Sequence, residues 1–160
     1  MFLLLDELRT LLKEEFTHPR FREDNLGAES YSSIKFFIGQ LPTEAADRYD
    51  YPYIILQAIG GMDTEESSWV DVKIMAGAYN PSGLDNAEKS LQDALNIISR
   101  CRIALQKVQN IGVYSLKHPL IWSAGDPDTD NLQPNPYAKA EIVTSWVTKP
   151  INKKVEDYLE

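Results

Sequence analysis

The sequence predicts an α+β fold: a mostly antiparallel β-sheet with a long helix packed on one face and an N-terminal helix. Three observations lead there. In residues 68–79, Val70, Val72, Ile74, Ala76 and Ala78 alternate with Trp69, Asp71, Lys73, Met75 and Tyr79, the period of a half-buried strand. In residues 85–108, Leu91, Ala94, Ile98, Cys101, Leu105 and Val108 recur at steps of three and four, the stripe of an amphipathic helix. Strand runs precede and follow this helix instead of alternating with helices, which argues against a doubly wound parallel sheet.

The elements follow in order. Leu5, Leu8, Leu12 and Phe16 share one face of a helix over residues 2–16, and Thr17-His18-Pro19 ends it because the residue before proline disfavours helical backbone. Residues 17–33 read as a polar loop, residues 33–40 as a short strand around Ile34, Phe36, Phe37 and Ile38, and residues 41–50 as a polar connection. Residues 53–59 are apolar with few interruptions, which predicts a strand buried on both faces, broken by Gly60-Gly61. Asp63, Glu65 and Glu66 then form an acidic turn into 68–79, so the two runs make an antiparallel hairpin. Asn80-Pro81-Ser82-Gly83 is a turn, and Asp85 with Glu88 is a capping box opening the long helix. Arg100, Arg102 and Lys107 suit the negative end of that helix, and Asn110-Ile111-Gly112 closes it. Strands follow at 113–123 and 138–148, joined by a polar loop, 124–136, with three prolines. The helical stripe places Leu91, Ile98 and Leu105 in the core.

At 160 residues the expectation is one domain, 1–160, with 149–160 as a short charged tail. A formal net charge of −8 disfavours phosphate backbones and anionic membranes, so neither sequence-specific nucleic-acid binding nor membrane association is expected. No apolar run approaches the roughly 18 residues of a membrane span. The apolar Phe2-Leu3-Leu4-Leu5 stops at Asp6 without the pattern of a secretion signal. The single Cys101 excludes an intrachain disulfide and fits a reducing compartment.

Little in the sequence points to chemistry. His18 and His118 are far apart and each precedes a proline, with no second histidine at ligand spacing. Cys101 lies on the apolar helix face, the place of a small core hydrophobe and not of an exposed nucleophile. Asp126, Asp128 and Asp130 resemble the start of a calcium loop, but the sixth and twelfth positions hold Asn131 and Tyr137 where glycine and glutamate belong. No phosphate-binding glycine loop, nucleophile elbow or CxxC occurs, and Pro81 disqualifies Asn80-Pro81-Ser82 as a glycosylation site. No catalytic residue, cofactor or metal ligand is therefore expected. Tyr49, Tyr51 and Tyr53 alternate at a strand start, where they serve sheet packing or a contact surface.

Four stretches carry a resemblance to a known family. Tyr51-Pro52-Tyr53-Ile54-Ile55-Leu56 is similar to the "YPYI" strand opening of siphophage neck proteins. Residues 70–79 resemble their "V-x-V-x-I-x-x-G-x-Y" strand, and residues 94–105 their "LN-I-I-x-R-I-R-x-A-L" helix, with Cys101 departing from the aliphatic pattern. Lys117-His118-Pro119-Leu120-Ile121-Trp122 and Thr144-Ser145-Trp146 resemble the "PL-x-W" and "T-x-W" strands. Over about residues 50–148 the chain thus resembles the tail terminators, also called tail completion or head–tail connector proteins, of phages and prophages; residues 1–48 carry no such likeness. The resemblance implies a structural α+β subunit, not an enzyme. Such a subunit forms a hexameric ring in the virion neck, assembled in the bacterial cytoplasm. The ring caps the tail tube, stops its polymerisation and joins it to the head connector, so the partners implied are tube protein, connector and further copies of the chain. On this view the acidic loops 62–67 and 124–136, carrying Asp63, Glu65, Glu66, Asp126, Asp128 and Asp130, are exposed and serve assembly. The alternatives are a small-ligand-binding module, which requires an apolar pocket between helix and sheet, and an enzyme with a non-standard site, which requires a pocket gathering His118 with carboxylates.

Overall fold

The computed structural model describes residues 2–17, 34–40, 52–79, 87–124 and 137–149. The 80–83 turn, the Asp85–Glu88 capping box, Tyr49, Tyr51, His18, residues 125–136 of the second acidic loop, and the tail lie outside the described residues. The elements are α1 (Phe2–Thr17), β1 (Lys35–Ile38), β2 (Tyr53–Asp63), β3 (Ser68–Tyr79), α2 (Ala87–Val108), β4 (Asn110–Ile111), β5 (Tyr114–Ala124) and β6 (Tyr137–Thr148). They form one curled six-stranded sheet in the order β1-β2-β3-β6-β5-β4. Only β1 and β2 run parallel; every other neighbouring pair is antiparallel, so the fold is α+β.

Alternation decides which side chains meet the helices. Val72 of β3 lies opposite Ala58 of β2 and Thr144 of β6, and Ile74 lies opposite Leu56 and Ile142. These positions, with Val70, Ala76, Ala78, Ala140 and Trp146, are buried in one apolar cluster with the helices. α2 packs across β3 and β6, while α1 packs against α2 and β2. Leu4, Leu5, Leu8, Leu12 and Phe16 form the buried side of α1, and the Phe16 ring meets Phe36 of β1 at 6.5 Å between centroids. Thr144 sits inside this apolar layer because its hydroxyl is satisfied twice. It donates to Val72 O at 2.9 Å and accepts from Trp146 Nε1 at 2.9 Å.

Five expectations need correction. Leu91 is 39% exposed, not core. The buried stripe of α2 is Ser90, Ala94, Ile97, Ile98, Cys101, Ala104 and Leu105, and Leu91 lies about 80° round the helix from Cys101. Val108 is also exposed, because it is the last helical residue. Gly60-Gly61 does not break β2, which continues to Asp63 with a register shift between Ala58 and Gly60. A Cβ on Gly61 would stand 2.4 Å from Trp69 O, so only glycine lets the two backbones approach this closely. Burial on both faces holds for Tyr53–Leu56 alone; Gln57 and Ile59 are exposed. Finally, Gln109 and not Gly112 ends α2, taking φ 58° and donating its N–H to Leu105 O at 3.1 Å. Gly112, also at φ 58°, instead opens the two-residue turn between Ile111 and its partner Tyr114.

Candidate functional site

The face of the sheet turned away from the helices carries the polar chemistry. Asp71, Ser145 and Lys117 are successive cross-strand partners on β3, β6 and β5. The Ser145 hydroxyl donates to Asp71 Oδ1 at 2.5 Å, and Lys117 Nζ lies 5.3 Å from the centroid of the Trp69 ring. One step along the strands, Lys73 Nζ meets Glu141 Oε2 at 3.0 Å, a diagonal pair across β3 and β6. Glu141 is only 6% exposed and takes a further, long hydrogen bond from Ser123 Oγ at 3.5 Å. Tyr53 lies flat over Gly77, its cross-strand partner, and a Cβ there would fall 2.2 Å from the ring. This is why a tyrosine on the helix-free face is fully buried.

Where β5 passes Ser145 it bulges. The step from Lys117 to Ile121 faces only the step from Ser145 to Val143 on β6. The bulge carries the cis His118–Pro119 peptide and rims an open pocket of about 210 Å³ lined by Trp69, Asp71, Lys117, His118, Pro119 and Ser145. The structure thus brings His118 and one carboxylate to a common concavity, a juxtaposition that no sequence spacing discloses. Ser145 gives its proton to Asp71, so the hydrogen bonding does not make it a nucleophile served by His118.

Two further surfaces stand out by exposure. The β2–β3 hairpin ends in a turn held by Thr64. Its N–H donates to Ser67 O at 2.8 Å, and its hydroxyl donates to Ser67 O at 2.9 Å and accepts from Ser67 N–H at 3.0 Å. Asp63, Glu65 and Glu66 are all exposed on this ordered tip, as the sequence predicts, beside Ile59 at 49% and Met62 at 54% exposure. Asp126, Asp128 and Asp130 lie outside the described residues. The second surface follows β5 beyond its bulge. The Arg102 guanidinium of α2 stacks 5.0 Å from the Trp122 ring centroid, and Trp122 remains 47% exposed, while Ile121, 63% exposed, points to the other face of the sheet opposite Val143. Arg102 and Trp122 stand within the resembling stretches, but periodicity alone did not single them out. The signal was the exposed side of α2, which Leu91 shares.

Cys101 is fully buried, and burial, reinforced by the Glu15 carboxylate, pushes its thiol far above the ordinary range. Among the described residues no three His, Cys, Asp or Glu side chains gather to hold a metal ion, and no helix is long and apolar enough to cross a membrane. No protein-family model and no curated protein matches the chain.

Proposed function

We propose that the chain is a structural subunit of a phage or prophage tail: a terminator that caps the tail tube, stops its polymerisation and joins it to the head connector, as a hexameric ring without catalytic activity. What carries this reading is the family resemblance of residues 50–148. Its stretches open β2, fill β3, run through α2 and form parts of β5 and β6, and Ile54, Leu56, Val72, Ile74, Ile98, Leu105 and Trp146 from them pack in one core. Exposed large apolar side chains at Ile59, Met62, Ile121 and Trp122 support it further, as apolar area open to contact with other proteins. The acidic hairpin tip belongs to the same assembly role. Negative-stain electron microscopy of the purified chain, alone and with tail tubes, tests this proposal. Rings seated on tube ends are expected; a chain that neither forms rings nor occupies tube ends overturns it.

The pocket at His118 favours a second reading, a module binding a small polar ligand. About 210 Å³ is below the usual range for drug-sized ligands, and Lys117 with His118 suits a small anion such as inorganic phosphate. Titration with phosphate followed by NMR decides it: shifts confined to 69–71, 117–119 and 145 support the module, and their absence removes it.

A further inference from the structure

One side of α2 and the free edge of β5 make a single surface. Leu91, Leu95 and Arg102 are spaced by four and seven residues and so lie along one side of the helix. The opposite side faces α1, where Lys107 Nζ reaches Glu15 Oε1 at 3.9 Å. Arg102 stacks on Trp122, so the Leu91 side faces the β5 edge. Leu120 and Leu95 are partly buried there, while Leu91 and Trp122 are exposed; Ile121, paired with Val143, points to the other face of the sheet. β4 pairs with Tyr114 and Ser115, and among the described residues no further strand pairs with the edge of β5 beyond them. Among the described residues no carboxylate forms an ion pair with Arg102. The surface therefore combines apolar area with a guanidinium.

The β2–β3 tip is its complement: Ile59 and Met62 supply apolar area, and Asp63, Glu65 and Glu66 supply the opposite charge. The tip lies on the other half of the sheet, since β3 and β6 separate β2 from β5. The two surfaces thus lie apart on the sheet. We infer that the acidic hairpin tip of one copy docks on the Arg102–Trp122 surface of a second copy. The contact is head-to-tail, and repetition of such a contact closes a ring when the rotation permits. Only its ring geometry rests on the tail-terminator proposal.

Sedimentation velocity across a concentration series tests the contact on the full chain. The wild type is expected to associate. Arg102→Glu, and Glu65→Arg with Glu66→Arg, should each weaken association by about tenfold or more, and the chain carrying all three should recover most of the loss. Trp122→Ala and Met62→Asp should each abolish association alone, yet a mixture of the two should form a dimer and nothing larger, since each keeps one live surface. Melting curves confirm folding; if Trp122→Ala does not fold, Arg102→Glu takes its place in the mixture. A wild type that stays monomeric, charge reversals without effect, or a mixture that stays monomeric overturns the contact. So do variants that self-associate normally but lose binding to tube ends, which would give the surface to the tube protein. A monomer that still caps tubes removes this contact and leaves the terminator proposal; a chain that associates as described but ignores tubes does the reverse.

Discussion

The two faces of β3 and β6 are drawn from the same 12-residue strands, yet they do different work. The face under the helices is Val70, Val72, Ile74, Ala76, Ile142 and Trp146, all buried, with one hydroxyl that is fully satisfied. The face away from the helices interleaves Trp69, Asp71, Lys73, Glu141 and Ser145, joined by an ion pair, a hydrogen bond and a cation–π contact. The first face converts apolar area into stability. The second spends part of that stability on buried charge, because desolvating an ion pair offsets most of its attraction.

The largest difference should separate two tryptophans. Trp146→Ala removes a fully buried ring and the donor to Thr144, and should cost about 3–5 kcal/mol by chemical denaturation. Trp69→Ala, on the helix-free face and only partly buried, should cost about 1 kcal/mol or less. Equal losses would erase the distinction between the faces. Within α2 the contrast is Ile98, 1% exposed, against Leu91. Ile98→Ala should lose about 2–5 kcal/mol and Leu91→Ala under about 1 kcal/mol in the same assay.

The ion pair sharpens the account of the second face. Glu141→Leu strands the Lys73 ammonium and should cost about 2–3 kcal/mol, somewhat less than a fully buried pair because both side chains keep some solvent contact. Adding Lys73→Met should return stability to within about 1 kcal/mol of wild type, since no charge is then left buried alone. A double variant as unstable as the single one would mean that the pair itself contributes. Gly77→Ala should cost about 1–3 kcal/mol by forcing the Tyr53 ring off its seat, seen also as a change in tyrosine near-ultraviolet circular dichroism. The smallest effect belongs to Cys101. Its thiol should stay silent towards a disulfide reagent until the protein unfolds. Folding raises its pKa, so wild-type stability should decline, relative to Cys101→Ala, as the pH rises through the ordinary thiol range where only the unfolded chain ionises.

Alternation made β3 legible to its end residues, because Val70, Val72, Ile74, Ala76 and Ala78 take turns with Trp69, Asp71, Lys73, Met75, Gly77 and Tyr79. The helix was legible as an element but not in its rotation. Six apolar positions fit a stripe that includes Leu91, and only the packing partners show that Ser90 and Ile97 face the core instead. Gly60-Gly61 reads as a break because glycine is a poor strand former, whereas here it lets the β2 and β3 backbones close up. The Lys73–Glu141 pair, 68 positions apart in sequence, depends on strand register, which no local pattern encodes. The pocket at His118 depends on the β5 bulge in the same way. The acidic tip was legible, since a charge cluster between two alternating runs has nowhere to go but solvent.

The most direct test of the assembly role pairs two measurements on one variant, Asp63→Asn with Glu65→Gln and Glu66→Gln. The tip is exposed and its turn is held by Thr64 and Ser67, which are untouched, so the melting temperature should match that of wild type. In a phage complementation assay the same chain should fail to support tail completion and head joining. Full complementation by this folded, neutralised chain would contradict the account, leaving the tip a solvated turn with no part in assembly.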